Sequence, residues 1–302
     1  MNGIMQSEHE QFIRQMRPAA QHLESLGEGD FNEVISVEDE VFRFPKTQEG
    51  RNMLRFDAAI LEKLSGKMSL QIPEVREIAG DGSYGIFTYV PGQVRSSKEI
   101  MTFTAEQKQL LAKTVANCMR EINSALSTHE VATITKQYLP GRETEAEYYE
   151  SIPKRYAQTP HHDLYVSYYD KYQMQQHKTG EPDEIVIYGD YHYGNMLFNE
   201  ANELVGLIDF ADLGIGTPVH DLRQLYRLGE GIVQAVIDEL HGDLGNINLE
   251  QVRLLAILHE ISVLMRPESQ PPNDNPRADL SRQLLGQCLG ERWEQEYQRR
   301  LS

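Results

Sequence analysis

The sequence predicts an α+β fold, with short strands gathered before Pro91-Gly92 and long helices after it. Three observations carry this. Val34-Ile35-Ser36-Val37, Val41-Phe42-Arg43-Phe44 and Ile86-Phe87-Thr88-Tyr89-Val90 are short β-branched and aromatic runs bounded by turn residues. Thr104 to Leu126 and residues 250 to 265 repeat apolar side chains at helical spacing. Between those helices, Ile185 to Leu213 holds two apolar runs that each end at a carboxylate, Asp190 and Asp209.

In chain order, residues 8 to 26 read as a helix through Phe12, Met16 and Leu23. The glycine-bearing turn Gly27-Glu28-Gly29-Asp30-Phe31-Asn32 interrupts it before the strand Glu33 to Val37. Glu38-Asp39-Glu40 is a turn into the strand Val41 to Lys46, whose alternation puts Val41, Arg43 and Pro45 on one face. Arg51 to Leu64 reads as a helix burying Leu54, Ala58, Leu61 and Leu64, with Asp57 on a neighbouring face. Ile72-Pro73-Glu74-Val75 and Ile86 to Val90 follow, and the Pro91-Gly92 turn marks a boundary between residues 1–91 and 92–302.

In the second part, Thr104 opens a helix that carries Leu110, Leu111, Val115, Met119 and Ile122, with Cys118 buried among them. Glu143 to Tyr156 is acidic and aromatic, either a solvated helix face or a lid over a substrate. Arg223 to Leu240 and residues 250 to 265 read as two further helices. A proline- and asparagine-rich loop, Pro267 to Pro276, precedes a last helix containing Trp293.

The chemistry concentrates in Ile185 to Leu213. Met196-Leu197-Phe198 and Leu204 to Ile208 can close as a hairpin through the turn-rich Asn199 to Asn202. That closure brings Asn195 near Asp209, with Asp190 on the loop beside them. Two oxygen ligands and a further carboxylate at one loop mouth suit Mg²⁺ held by Asn195 and Asp209, with Asp190 as general base.

D-x-x-x-x-N followed by I-D-F is the spacing of a kinase catalytic loop and its metal-binding aspartate. Here the stretch resembles the aminoglycoside phosphotransferase family, whose motif is H-G-D-x-x-x-x-N followed by I-D-F/W. Tyr188 stands where the family usually has a scaffold histidine. Gly216-Thr217-Pro218-Val219-His220-Asp221-Leu222 is similar to the family's G-D-P-x-x-D-L/F, with Asp221 matching the aspartate that anchors the loop and Thr217 replacing an acid.

The resemblance implies a two-lobed, protein-kinase-like fold with ATP or GTP between a small antiparallel lobe and a mostly helical one. It places Gly29 in the phosphate loop, and Arg43 or Lys46 on the phosphates, with Arg43 preferred on strand geometry. It pairs Asp57 with that cation and assigns the adenine hinge to Thr88, Tyr89 and Val90. It draws substrate-binding acids from Glu230, Asp238, Glu239, Glu260 and Glu268, and leaves His192 as a loop side chain without chemistry. The F-R-F-P-K strand and G-E-G-D-F turn look like those of the 2″-phosphotransferases, so the implied acceptor is an aminoglycoside hydroxyl and the implied outcome is resistance. Macrolide kinases tend to carry His where Asn195 stands. Kinases of choline, homoserine or sugars, and a degenerate nucleotide-binding protein, are the other readings.

Composition sets the outer bounds. The 302 residues are 40% apolar, enough for a sizeable core, and no apolar run reaches membrane-spanning length. The first residues lack a signal peptide's basic and apolar segments, and Cys118 and Cys288 are too few for a disulfide framework, so a reducing cytoplasm is expected. A net charge of −17 argues against nucleic acid. Residues 181 to 302 hold 21 acidic against 9 basic side chains, a field suited to a small cationic substrate. A monomer or weak dimer is expected.

Overall fold

The computed structural model describes residues 8–28, 31–180, 182–267, 276–290 and 293. Five antiparallel strands form the first sheet: β1 (Leu23–Glu28), β2 (Asn32–Val37), β3 (Glu40–Pro45), β4 (Val75–Ile78) and β5 (Gly85–Thr88), in the order β1-β2-β3-β5-β4. The alternation in β3 sorts its two faces. Phe42 and Phe44 are buried with Ile35, Val37 and Ile86 beneath helix α1 (Glu8–Met16), which contributes Ile13. Arg43 faces the other way, opposite Val34 on β2 and Gly85 on β5.

The helix expected over residues 8 to 26 is shorter than its apolar spacing suggested. It ends at Met16, and Leu23–Glu28 is the sheet's first strand, paired with β2. Pro18 explains the stop: its ring fixes φ, removes an N–H donor and disfavours helical backbone at Arg17.

Helix α2 (Gln48–Leu64) lies between this sheet and the rest of the molecule. Thr47 caps it, its hydroxyl accepting the Gly50 N–H at 3.0 Å. Gly50 is required there, because a Cβ would sit 2.8 Å from the Phe31 carbonyl oxygen. Leu54, Phe56, Ile60, Leu61 and Leu64 join the main core, which continues through the helical part of the chain.

After β6 (Gln93–Val94) come helices α3 (Ser97–Met101), α4 (Ala105–Ala125), α5 (Thr128–Tyr138), α6 (Glu145–Arg155) and α7 (His162–Thr179). Thr104 caps α4 through a reciprocal pair with Gln107. Four short strands then carry the central stretch: β7 (Ile185–Ile187), β8 (Met196–Phe198), β9 (Leu204–Leu207) and β10 (Gly214–Gly216). β8 and β9 form the expected hairpin, with Asn202 in left-handed backbone at the turn, while β10 pairs with β7.

Helices α8 (Pro218–Leu225), α9 (Glu230–Leu240), α10 (Leu249–Met265) and α11 (Pro276–Leu289) complete the large lobe. The continuous helix expected from Arg223 to Leu240 is divided: α8 ends at Leu225, a 3₁₀ turn spans Tyr226–Leu228, and Gly229 takes φ 102°. Only glycine adopts that backbone at low cost, so the apolar spacing ran unbroken across a real corner. Helix α11 ends at Leu289 before Gly290, which takes φ 72°, Trp293 beyond it is itself helical, and most of the Pro267 to Pro276 loop lies outside the described residues. Among the described residues no helix is long and apolar enough to cross a membrane.

Candidate active site

A cavity of about 590 Å³ opens between the sheet and the central stretch. Its walls carry residues from the segments expected to hold the nucleotide and the metal: Gly27, Phe31 and Asn32 at the glycine turn, Arg43 on β3, Asp57 on α2, Thr88 at the end of β5 with Tyr89 and Val90, and Asn195 and Asp209 opposite. Gly29 lies outside the described residues. Lys46 is exposed beyond the end of β3 and does not line the cavity, whereas Arg43 does.

Arg43 is held from behind. Its guanidinium donates to Asp57 Oδ2 at 2.5 Å and lies 4.6 Å from the centre of the Phe87 ring. Asp57 is 1% exposed, and its other oxygen accepts the Phe210 N–H at 3.1 Å. One short carboxylate therefore joins the strand cation to the backbone immediately after Asp209. Burial pushes the Asp57 carboxyl up to about 6, against the pull of Arg43, so it is ionised at neutral pH.

Asp190, Asn195 and Asp209 converge as the hairpin requires. The Ile208 N–H donates to the Asn195 carbonyl at 3.1 Å, which ties the start of β8 to the end of β9. Asn195 Nδ2 donates to Asp190 Oδ2 at 2.7 Å and to the Asp190 carbonyl at 3.2 Å. Two acceptors fix that end of the amide as NH₂, so Oδ1 is the end offered outward. Asp209 is exposed to the cavity in left-handed backbone, φ 63°, an uncommon conformation for a residue with a Cβ. An amide oxygen and a carboxylate at one cavity mouth form a hard-oxygen donor set, the chemistry that suits Mg²⁺.

Burial, then Asp212 and Asp209, push the half-buried Asp190 carboxyl up to about 7. A carboxylate so poised accepts a proton near neutral pH. His192 beside it is pushed down to about 4 by burial and by Arg227 and Arg277, and stays neutral.

The loop is braced at several points. Asp221 Oδ1 accepts the Gly189 N–H at 2.8 Å from the first turn of α8. Gly189 takes φ 84° with room for no Cβ, which would meet the Asp212 carbonyl oxygen at 2.6 Å. Tyr188, 0% exposed, donates its hydroxyl to the Ile208 carbonyl at 2.5 Å and packs against Tyr191 and Phe210. The departure at this position therefore brings its own tie between the Asp190 loop and the strand that leads to Asp209. Thr217 caps α8 in a reciprocal pair with His220 instead of supplying an acid.

The acids nominated for substrate differ in their surroundings. Glu260 is 5% exposed and committed to a bidentate pair with Arg227, at 2.8 and 3.0 Å, and to the Ser281 hydroxyl. Glu239 accepts from Gln109 on α4, and Asp238 from Gln234 one turn earlier on α9. Glu230 accepts the Tyr226 hydroxyl at 2.7 Å at the exposed start of α9. Glu268 lies outside the described residues.

Two contacts escaped sequence reasoning. Arg142, in the loop before α6, donates to the Ala211 carbonyl at 2.8 Å and stands 3.6 Å from Asp212; no local signal marks it. Gln224 donates to Asp190 Oδ1 at 2.8 Å. Its place three residues after Asp221 on one helix was a usable sign, since such residues share a face.

The family model described as "Phosphotransferase enzyme family", APH, matches residues 23–256. Among solved structures, the GDP complex of wild-type aminoglycoside 2'-phosphotransferase-IIIa aligns at 24% identity and TM-score 0.76, covering 93% of this chain and 97% of that one. The streptomycin–ATP ternary complex of APH(2")-IIa aligns at 17% identity and TM-score 0.70, covering 97% and 99%. A macrolide 2'-phosphotransferase from Brachybacterium faecium aligns at 10% identity and TM-score 0.66, covering 89% and 100%. At these identities the likeness is one of fold. The comparison with curated proteins found no match.

Proposed function

Since this chain belongs to the phosphotransferase enzyme family, we propose that it moves the γ-phosphate of ATP or GTP to a hydroxyl of an aminoglycoside. The observation that carries this reading is the convergence of Asp190 on Asn195, which with Asp209 lines a cavity whose far wall holds an anchored cation, Arg43.

In this reading Asp190 accepts the acceptor hydroxyl's proton or orients that hydroxyl. Asn195 Oδ1 and the Asp209 carboxylate hold Mg²⁺, which neutralises charge on the phosphate oxygens when bound. Arg43, steadied by Asp57 and Phe87, holds the phosphates. The hinge Thr88 to Val90 receives the base, and the glycine turn, Gly29 included, covers the phosphates. Rate enhancement comes from positioning and from fixed charges rather than from covalent chemistry on the protein.

The acidic second part of the chain favours a cationic acceptor, and Asn195 favours an aminoglycoside over a macrolide. Solved relatives of the same fold are described with kanamycin, streptomycin and gentamicin. Glu230 is the acid we assign to an ammonium group, because Glu260 is already neutralised by Arg227.

The deciding experiment is coupled nucleotide turnover with ATP and GTP against aminoglycosides, macrolides and choline. Turnover that depends on an aminoglycoside is expected. Turnover confined to another acceptor class would replace the substrate, and slow hydrolysis indifferent to every acceptor would refute the transferase reading.

A further inference from the structure

Helix α8 grips the catalytic loop at two places from one face. Asp221, in its first turn, holds the Gly189 N–H, and Gln224, three residues on, reaches the Asp190 carboxylate itself. Asn195 takes Oδ2 at 2.7 Å and Gln224 takes Oδ1 at 2.8 Å, so each oxygen has its own amide donor. A carboxylate held at both oxygens loses rotation about its Cβ–Cγ bond, and its remaining lone pairs point in fixed directions.

The other end of the Gln224 side chain identifies what the contact is for. Its Oε1 is buried and has no hydrogen-bond partner among the described residues. An ionised carboxylate only accepts, so it draws the NH₂ end and leaves the carbonyl end unsatisfied. The unpaired Oε1 offsets what the bond to Asp190 contributes to stability, so leucine, which removes that orphan acceptor but also the donor to Asp190 Oδ1, should change fold stability little in either direction. Resting on the reading of Asp190 as the base, we propose that Gln224 is a positioning residue for phosphoryl transfer, holding the Asp190 carboxylate in the orientation that meets the acceptor hydroxyl.

The test uses the full chain and compares Gln224→Leu, Gln224→Glu and Gln224→His with the wild type on whichever acceptor the wild type phosphorylates. Leucine keeps the volume without the donor, glutamate adds a repelling carboxylate, and histidine restores an N–H at similar reach. With a misplaced base costing about 10- to 100-fold, kcat should fall by that much in the leucine and glutamate variants, while the nucleotide KM stays within about twofold. The melting temperature of the leucine variant should stay close to that of the wild type, and histidine should recover part of the loss. A leucine variant with wild-type kcat, or one whose loss of kcat comes with a lower melting temperature and no recovery by histidine, overturns the proposal. A wild-type protein that turns over no acceptor refutes the transferase reading instead. In that case the side-chain amide resonance of Gln224, identified by its absence in Gln224→Leu, still decides: it must move in Asp190→Ala, and an unmoved resonance overturns the clamp.

Discussion

Replacing Tyr188 with phenylalanine removes one oxygen atom and tests how the two halves of the site are held together. The hydroxyl donates to the Ile208 carbonyl at 2.5 Å, one residue before Asp209. Burial holds the phenol well above its ordinary pKa, so it remains a donor at any working pH. The ring centroid lies 4.8 Å from that of Tyr191 and 5.1 Å from that of Phe210, contacts that phenylalanine keeps. The loss is therefore one hydrogen bond from a side chain with 0% exposure to the carbonyl of the partly buried Ile208. Such a bond is worth about 0.5–1.5 kcal/mol. For a chain of this size that corresponds to roughly 2–4 °C of melting temperature per kcal/mol. Because Ile208 leads directly into Asp209, turnover should fall with stability, whereas Thr88 to Val90, the segment proposed to receive the base, should be untouched. Thermal unfolding and steady-state kinetics of Tyr188→Phe check both. A variant with unchanged melting temperature and unchanged kcat would show that this hydroxyl does not hold the loop to Asp209.

Other substitutions and the pH profile have equally definite expected outcomes. Asp190→Ala should lower turnover by about 10²- to 10⁴-fold with nucleotide affinity nearly intact, as separate measurements of kcat and of nucleotide binding by calorimetry will show. Arg43→Ala strands the buried Asp57 carboxylate and should cost about 3–5 kcal/mol in urea unfolding, together with a higher nucleotide KM. Lys46→Ala, at an exposed position outside the cavity, should change neither. The pH profile tests the charges around Asp190, which burial, Asp212 and Asp209 push up to about 7. The base works only when ionised, so turnover should rise with pH through an acid limb at or below about 7, a bound cation drawing it lower. Asp212→Asn removes a negative neighbour, which lowers the Asp190 pKa, so the limb should move to lower pH. A limb that stays in place or moves up would contradict that electrostatic picture.

The sequence by itself determined the elements whose signals are local. β3 alternates because one face packs under α1 and the other meets the cavity, and that alternation already set Arg43 apart from Phe42 and Phe44. The turn between Phe198 and Leu204 determined the β8–β9 hairpin, and the hairpin alone was enough to join Asn195 to the residue before Asp209. Where a stop was a backbone event rather than a change of apolar spacing, the pattern misled: the residue 8 to 26 helix ends at Pro18, and the Arg223 to Leu240 helix turns at Gly229.

Tertiary structure decided everything that depends on which side chains meet across long separations. Asp57 and Phe210 are 153 residues apart, so no spacing rule could reveal that one carboxylate serves both Arg43 and the backbone after Asp209. The same holds for Glu260, which reads as a candidate substrate acid until Arg227 and Ser281 are seen to occupy it. A sequence lists which groups can be charged or can donate. Only packing fixes whether each one meets water, a ligand or a partner of its own, because burial makes every unpaired polar group costly and so forces the pairing.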